Sequence, residues 1–98
     1  MSAADAALVI DRERFGKRLK SARYDAGFDR MVELANKIED EFGIPIPAST
    51  LYTYEAGRTF PPFETLLLIL AVLQPLDGLA YFAVAVRPDI RERVFGSP

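Results

Sequence analysis

Apolar residues recur at every third or fourth position along most of this chain, which is the spacing of one face of an α-helix. The first run follows Asp11, a residue type that caps helix N-termini, and it stops at Gly27. Its predicted buried stripe is Phe15, Leu19, Ala22 and Ala26. We expect Asp29 to cap a second helix and Gly43 to close it. The apolar face of that helix is Val32, Leu34, Ala35, Ile38 and Phe42.

A third, shorter helix is predicted after Pro45-Ile46-Pro47, because proline fixes φ and is tolerated only in the first turn of a helix. It would begin near Ala48 and end before Gly57, a residue suited to a left-handed cap. Leu51 and Tyr54 form its apolar back. Its opposite face carries the hydroxyl groups of Ser49, Thr50 and Thr53.

The segment Phe63–Leu73 predicts a fourth helix that is apolar almost all round. The residues assigned to the core are Phe63, Leu66, Leu67, Leu70 and Leu73. Leu68 and Ala71 are left on a second apolar side, which either a second subunit or the C-terminal segment would cover.

The two ends of the chain leave alternatives open. Residues 7–10 are apolar and fit either a packed arm or an extension of the first helix. Residues 79–86 fit a helix or a strand, with a helix favoured, and residues 89–95 have near-helical spacing. The prediction is one all-α domain over 1–98, a compact bundle of four to five short helices, with core helices in 11–74 and a C-terminal extension in 75–98.

Composition narrows the chemistry. The chain has no cysteine and no histidine, so it lacks thiolate metal ligands, the commonest general base and the commonest metal ligand. We therefore expect no enzyme activity, no metal and no cofactor. The formal charge of -2 does not by itself indicate a nucleic-acid partner. The basic residues are unevenly distributed, however, because six of the twelve lie between Arg12 and Arg23. Neither a signal peptide nor a membrane span is expected, which predicts a cytoplasmic protein.

Arg23 is the one basic residue of the first helix that falls at the edge of its buried stripe, four residues after Leu19. A guanidinium in such a place requires a carboxylate partner, because unpaired burial of a charge is costly.

Several segments together resemble the Cro and phage-repressor family, also called Xre-like, of helix-turn-helix DNA-binding proteins. The resemblance covers roughly residues 12–74. It rests on residues 15–23, on Leu34-Ala35, on residues 51–58 with Glu55-Ala56-Gly57-Arg58, and on Pro61 followed by the leucine-rich fourth helix. It implies a lambda-repressor-like fold, a bacterial or phage origin, and a partly buried ion pair between Arg23 and Glu55.

The resemblance also implies a sequence-specific transcriptional regulator that binds operator DNA as a homodimer, with residues 48–56 in the major groove. The implied base-reading residues are Ala48, Ser49, Thr50, Tyr52 and Thr53. The implied phosphate contacts are Arg30, Arg58, Thr59, Arg14, Lys17 and Arg18. The second helix and the turn after it are longer than is usual in the family. Since no base-reading position holds Arg, Gln or Asn, readout would use hydroxyls, thymine methyl contacts, tyrosine edges or groove shape.

An alternative is a protein-interaction module on the same fold, similar to an antitoxin or an anti-repressor. The acidic net charge and the apolar C-terminal half favour it. The predicted dimer or partner surface is Leu68, Ala71, Tyr81 and Phe82. The sequence suggests no small-molecule effector.

Overall fold

Six helices and the turns between them make up the fold in the computed structural model, which describes residues 9–96. They are α1 (Arg12–Asp25), α2 (Met31–Phe42), α3 (Ala48–Glu55), α4 (Phe63–Leu73), a 3-10 helix (Gly78–Ala85) and α5 (Pro88–Phe95). None of residues 9–96 lies in a β-strand, and the all-α class predicted from the sequence is confirmed.

The helix ends follow local chemistry. Asp11 caps α1 as predicted, its carboxylate accepting the Arg14 N–H at 3.1 Å. The N-cap of α2 is Arg30 rather than Asp29, and the Glu33 carboxylate accepts the Arg30 N–H at 2.9 Å. The prediction for Asp29 was wrong because its backbone is already engaged in the turn, where its carbonyl accepts a hydrogen bond from Arg23.

The core draws on every helix except α5. α1 packs against α3 and the 3-10 helix, while α2 packs against α3 and α4. The buried apolar side chains are Phe15, Leu19, Ala22, Leu34, Ala35, Ile38, Leu51, Tyr54, Leu66, Ile69, Leu73, Phe82 and Ala85. Ala26, Val32 and Phe42 are exposed, contrary to the prediction. All three lie at helix ends: Ala26 just after α1, Val32 in the first turn of α2, and Phe42 at its last position.

α4 has the predicted bounds but a different buried face. Leu66, Ile69 and Leu73 are buried, whereas Phe63 and Leu67 remain 68% and 49% exposed. The core assignment of Phe63 and Leu67 was wrong and Ile69 was missed. A helix that is apolar on all sides carries no polar face to show which side turns inward.

Residues 78–85 form a 3-10 helix, which settles the choice between helix and strand in favour of a helix. Its buried residues Phe82 and Ala85 are three positions apart, and residues with that separation share one side of a 3-10 helix. Phe82 packs on Phe15 of α1, with ring centroids 4.8 Å apart. The C-terminal extension therefore supplies part of the core.

The segment before α1 is a packed arm at Val9 and Ile10. Ile10 forms an isolated antiparallel bridge with Val86. The Asp11 N–H donates to the Ala85 carbonyl at 2.6 Å, and the Arg87 N–H donates to the Val9 carbonyl at 2.7 Å. The predictions for Ala7, Leu8 and the last two residues lie outside the described residues.

Among residues 9–96, no individual helix has the length and hydropathy needed to cross a membrane. α4 and the 3-10 helix reach both only when taken together, and they meet at a bend of 120°.

Candidate nucleic-acid interface

α3 is a short helix with an apolar back and an open front. Leu51 and Tyr54 are buried against the other helices, as the sequence predicts. Ser49 is exposed, and Tyr52 is 55% exposed. Thr50 is half-buried, and Ala48 packs its methyl group against the edge of the core. The front of α3 therefore presents small hydroxyl-bearing side chains and one tyrosine edge to solvent.

Thr53 differs from the other predicted base-reading residues, because its hydroxyl is used within the protein. It donates to the Thr50 carbonyl at 2.7 Å and lies 2.9 Å from the Thr59 hydroxyl. Since the single Thr53 proton goes to the carbonyl, Thr59 must be the donor of the second bond. Neither hydroxyl then has a proton left to donate. Phosphate oxygens only accept hydrogen bonds, so the Thr59 hydroxyl is not free for its predicted phosphate contact in this arrangement, whereas Thr53 can still meet a base through its methyl group or as an acceptor, and its base-reading role stays a prediction. The two residues also tie the end of α3 to the connection that follows it.

Arg23 and Glu55 form the ion pair that the sequence predicts. Arg23 Nε donates to one Glu55 carboxylate oxygen at 3.0 Å, and Nη2 donates to the other at 2.8 Å. The two side chains are only 6% and 8% exposed. Hydrogen bonding to Glu55 raises the pKa of Arg23 above its ordinary value, against the opposing effect of desolvation. The pair fastens the last residue of α3 to α1.

The same guanidinium also holds the turn between α1 and α2. Arg23 Nη1 donates to the carbonyls of Phe28 and Asp29, at 2.9 and 2.8 Å. Arg23 therefore satisfies four acceptors on two different elements. One side chain of α1 therefore binds both the last residue of α3 and the turn that leads into α2.

Gly16 of α1 provides a second close contact with α3, and the sequence reasoning missed it. A Cβ built on Gly16 would lie 2.2 Å from the Glu55 carbonyl oxygen and 2.9 Å from its carbonyl carbon. Only a residue without a side chain allows α1 and α3 to approach this closely. The available signal was a glycine in the middle of a helical pattern, where it costs stability without a packing reason.

Arg30 and Arg58 are the predicted phosphate contacts that stand free. Both are exposed, at the start of α2 and just after α3. Within residues 9–96, no carboxylate forms a salt bridge with either guanidinium. Within residues 9–96, these two cations without a carboxylate partner therefore lie at the start of α2 and just after the end of α3.

The basic residues of α1 are more committed to partners within the protein. Arg14 lies 3.6 Å from the Asp11 carboxylate, and Lys17 lies 3.6 Å from that of Glu13. Arg18 is half-buried and stacks on the Tyr81 ring at 4.6 Å. Arg14 and Lys17 are mostly exposed in spite of these contacts, whereas Arg18 belongs to the packing of the 3-10 helix.

The predicted dimer or partner surface is not assembled as one patch. Phe82 is buried in the core, and Tyr81 is half-buried beneath Arg18. Leu68 packs against the core, and of the four residues only Ala71 is exposed. The surface assignment was wrong because the 3-10 helix turns these aromatic rings toward α1.

In the described part of the chain, no group of three carboxylate, histidine or cysteine side chains is placed to hold a metal ion. Glu39 and Glu41 are exposed on α2, and the Glu41 carboxylate lies 3.1 Å from the Lys37 ammonium group.

Comparison with models of known protein families, with curated proteins and with solved structures found no match.

Proposed function

We propose that this chain is a sequence-specific regulator that binds double-stranded operator DNA as a homodimer. Residues 48–56 enter the major groove with the N-terminal end toward the bases. α2 and α3 act as the helix-turn-helix pair. The setting is the cytoplasm of a bacterium, where the chain is encoded by the bacterial or a phage genome.

The observation that supports the proposal is the way in which α3 is held against the rest of the protein. The buried Arg23–Glu55 pair and the close approach at Gly16 hold the back of this helix. Its front is left open, and burial against the protein does not use it. A short helix that is rigidly held behind and polar in front fits the major groove, which is about 12 Å wide.

Phosphate binding falls chiefly to Arg30 and Arg58, with Arg14 and Lys17 as further contacts. These four cations would neutralise four phosphates in each half-site, and eight in the complex with the homodimer. The logarithm of the binding constant should then fall with the logarithm of salt concentration with a slope of about -7. Selection from random duplex DNA at two salt concentrations tests this value directly. A slope near zero, or no enrichment of any sequence, would remove the proposal.

The homodimer predicts the form of the selected sites. Dimers of this motif place their recognition helices about 34 Å apart, one turn of DNA. Enriched sequences should therefore contain two related half-sites separated by roughly 10 base pairs. Enrichment of a single asymmetric half-site at all protein concentrations would contradict the homodimer. It would not contradict the proposal that α3 is the DNA-binding helix.

Replacing Arg58 with alanine should weaken binding to all sequences alike. The substitution removes one phosphate contact from each protomer, two in the homodimer, so the magnitude of the salt slope should fall by about 2 while the sequence preference stays the same. The measurement is fluorescence anisotropy with selected and scrambled duplexes over a salt series. The matched control is Arg93→Ala, which removes the same charge from α5 and should leave the slope unchanged. Equal effects of the two variants would mean that only the net charge matters.

Replacing Ser49 with alanine should relax the preference at one base position in each half-site. Ser49 is exposed at the N-terminal end of α3, where its hydroxyl can donate to or accept from a base edge. Loss of that hydrogen bond should reduce discrimination there by about fivefold to tenfold, the low end of the range for a good bidentate contact. Repeating the selection measures this effect. Ser21→Ala, the same change on an exposed position of α1, is the control and should leave every preference intact.

A protein-interaction module is the second candidate function, and exposed apolar side chains favour it. Phe63, Leu67 and Leu76 are all exposed on or just after α4. A stoichiometric complex with another protein, formed by a chain that binds no duplex DNA, would support this alternative over the regulator.

A further inference from the structure

A cavity of about 250 Å³ lies between the N-terminal arm, α1, the start of α4, the 3-10 helix and α5. Its deep wall is formed by three phenylalanine rings, Phe15, Phe60 and Phe82. Phe15 packs on the other two, with centroids 4.7 and 4.8 Å away. These contacts make the wall rigid, since each ring is held by a neighbour from a different element.

The lining is apolar. The side chains around it are aliphatic or aromatic, and Leu66, Leu79 and Val94 join the three rings. The backbone nearby is already hydrogen-bonded, because the Ala85 carbonyl accepts from Asp11 and the Val9 carbonyl accepts from Arg87. A water molecule needs two to four polar partners to be held in a cavity, and this lining offers none.

The cavity reaches solvent along side chains that the protein leaves uncovered. Phe63 and Val94 line it and are 68% and 67% exposed. α5 forms one side of this opening and buries none of its own residues. Protein interiors rarely leave voids larger than one water molecule, because an empty space forfeits dispersion contacts on every wall.

We propose that this cavity binds a small, uncharged, apolar molecule. At about 30 Å³ for each non-hydrogen atom, the share of one water molecule in the liquid, the volume takes roughly eight such atoms. An apolar cavity of about 150 Å³ is large enough for benzene, so a substituted benzene or a short alkyl chain matches this larger space. A charged or hydrogen-bonding group has no partner on the walls. The site is separate from the DNA interface and does not depend on the proposed function.

Ethylbenzene and benzyl alcohol form a matched pair of probes, because each has eight non-hydrogen atoms and they differ by one hydroxyl. Titration of the ¹⁵N-labelled full chain should show saturable binding of one ethylbenzene. The shifts should be confined to the lining, with Phe60, Phe63 and Val94 among the responding residues. Benzyl alcohol should bind at least about tenfold more weakly, since its hydroxyl either loses its water inside the cavity or stays at the opening and leaves part of the cavity unfilled. No saturable binding, or equal binding of both probes, overturns the proposal.

Val94→Glu should abolish ethylbenzene binding, because it places a carboxylate at the opening of the cavity. Val94 is exposed, so the fold should tolerate the change, and far-ultraviolet circular dichroism checks this. Leu76→Glu is the matched control, since Leu76 is 96% exposed and does not line the cavity. Binding that survives Val94→Glu, or is lost equally in Leu76→Glu, places the probe elsewhere and overturns the proposal.

Two other occupants are separate outcomes of the same experiments. If Val94→Glu converts a dimer to a monomer in sedimentation, the cavity holds a second copy of the chain and the proposal is wrong. If Leu8→Glu raises the affinity for ethylbenzene tenfold, the chain's own N-terminal residues compete for the cavity, and the proposal is again wrong. With neither effect, and with the binding described above, the small molecule is the occupant.

Discussion

Replacing Arg23 with methionine is expected to lower the free energy of unfolding by about 3–5 kcal/mol, the usual cost of breaking a buried ion pair. The Glu55 carboxylate, 8% exposed, would be left without its cation. The carbonyls of Phe28 and Asp29 would lose their donor as well. A domain of this size has about 5–15 kcal/mol of stability in total, so the variant should unfold at much lower urea concentration.

Lys37→Met is the matched control for this prediction. It also exchanges a cation for methionine, but the Lys37–Glu41 pair is about half exposed on α2. Pairs of this kind contribute about 0.3–0.5 kcal/mol, so the two variants should differ several-fold in their effect. Similar losses from both would mean that the Arg23 pair contributes no more than a surface contact.

The double variant Arg23→Met with Glu55→Leu separates the two parts of the loss. Removing both charges together abolishes the unpaired carboxylate, so the double variant should be no less stable than Arg23→Met alone. It should still be less stable than the natural chain, because the Phe28 and Asp29 carbonyls remain without their donor. Losses that simply add would show that the two side chains act independently.

The helix boundaries could be predicted from the sequence because short-range chemistry decides them. Asp11 and the prolines before α3 mark helix starts. Gly43 and Gly57 adopt the left-handed conformation that ends α2 and follows α3, with φ of 69° and 77°. The partner of Arg23 could also be anticipated, because its position beside the apolar stripe required a carboxylate and the family resemblance supplied Glu55. These features depend on residue type and spacing, which a sequence contains.

The faces of α4 and the packing of the 3-10 helix could not be predicted in the same way. Phe63, Leu67 and Ile69 are all apolar, so the pattern contains no contrast that distinguishes the outer side from the inner one. The 3-10 helix has eight residues and few polar ones, and in so short an apolar segment the helix and strand patterns cannot be told apart. The positions of Tyr81 and Phe82 depend on how the 3-10 helix meets α1, which is a tertiary contact. The error in the predicted dimer surface follows from this.

The open face of α3 was predicted in outline, but the internal hydrogen bonds of one of its hydroxyls were not. Ser49 and Tyr52 are exposed as expected, but the Thr53 hydroxyl is bonded to Thr50 and Thr59. A threonine in a helix can donate to the carbonyl of the preceding turn, so its side chain chooses between solvent and backbone. Here the hydroxyl donates to the backbone and also contacts Thr59 six residues later, and spacing alone does not reveal this arrangement.

Replacing Gly16 with alanine is the second change with a large expected effect. Glycine inside a helix is about 1 kcal/mol less favourable than alanine, so helix propensity alone predicts a more stable variant. The added Cβ, however, would lie 2.2 Å from the Glu55 carbonyl oxygen. That oxygen is backbone and cannot rotate away, so α1 and α3 must separate by about 1 Å to restore an ordinary contact. Overpacking of this kind costs about 1–3 kcal/mol and sometimes more.

The expected net result for Gly16→Ala is a loss of up to about 2 kcal/mol, measured by urea unfolding, because the gain in propensity offsets only part of the overpacking cost. The propensity itself can be measured at Ser21, an exposed position of α1, by comparing Ser21→Gly with Ser21→Ala. Alanine should be the more stable there by about 1 kcal/mol. The opposite sign at position 16 can then come only from the contact with α3.

Glu55 is both the residue that the added Cβ would contact and the partner of Arg23, so separating the helices should also weaken the ion pair. Gly16→Ala and Arg23→Met should therefore lose less together than the sum of their separate losses. A stabilised Gly16→Ala variant would mean that α1 and α3 do not approach closely enough to hold the back of α3 rigidly.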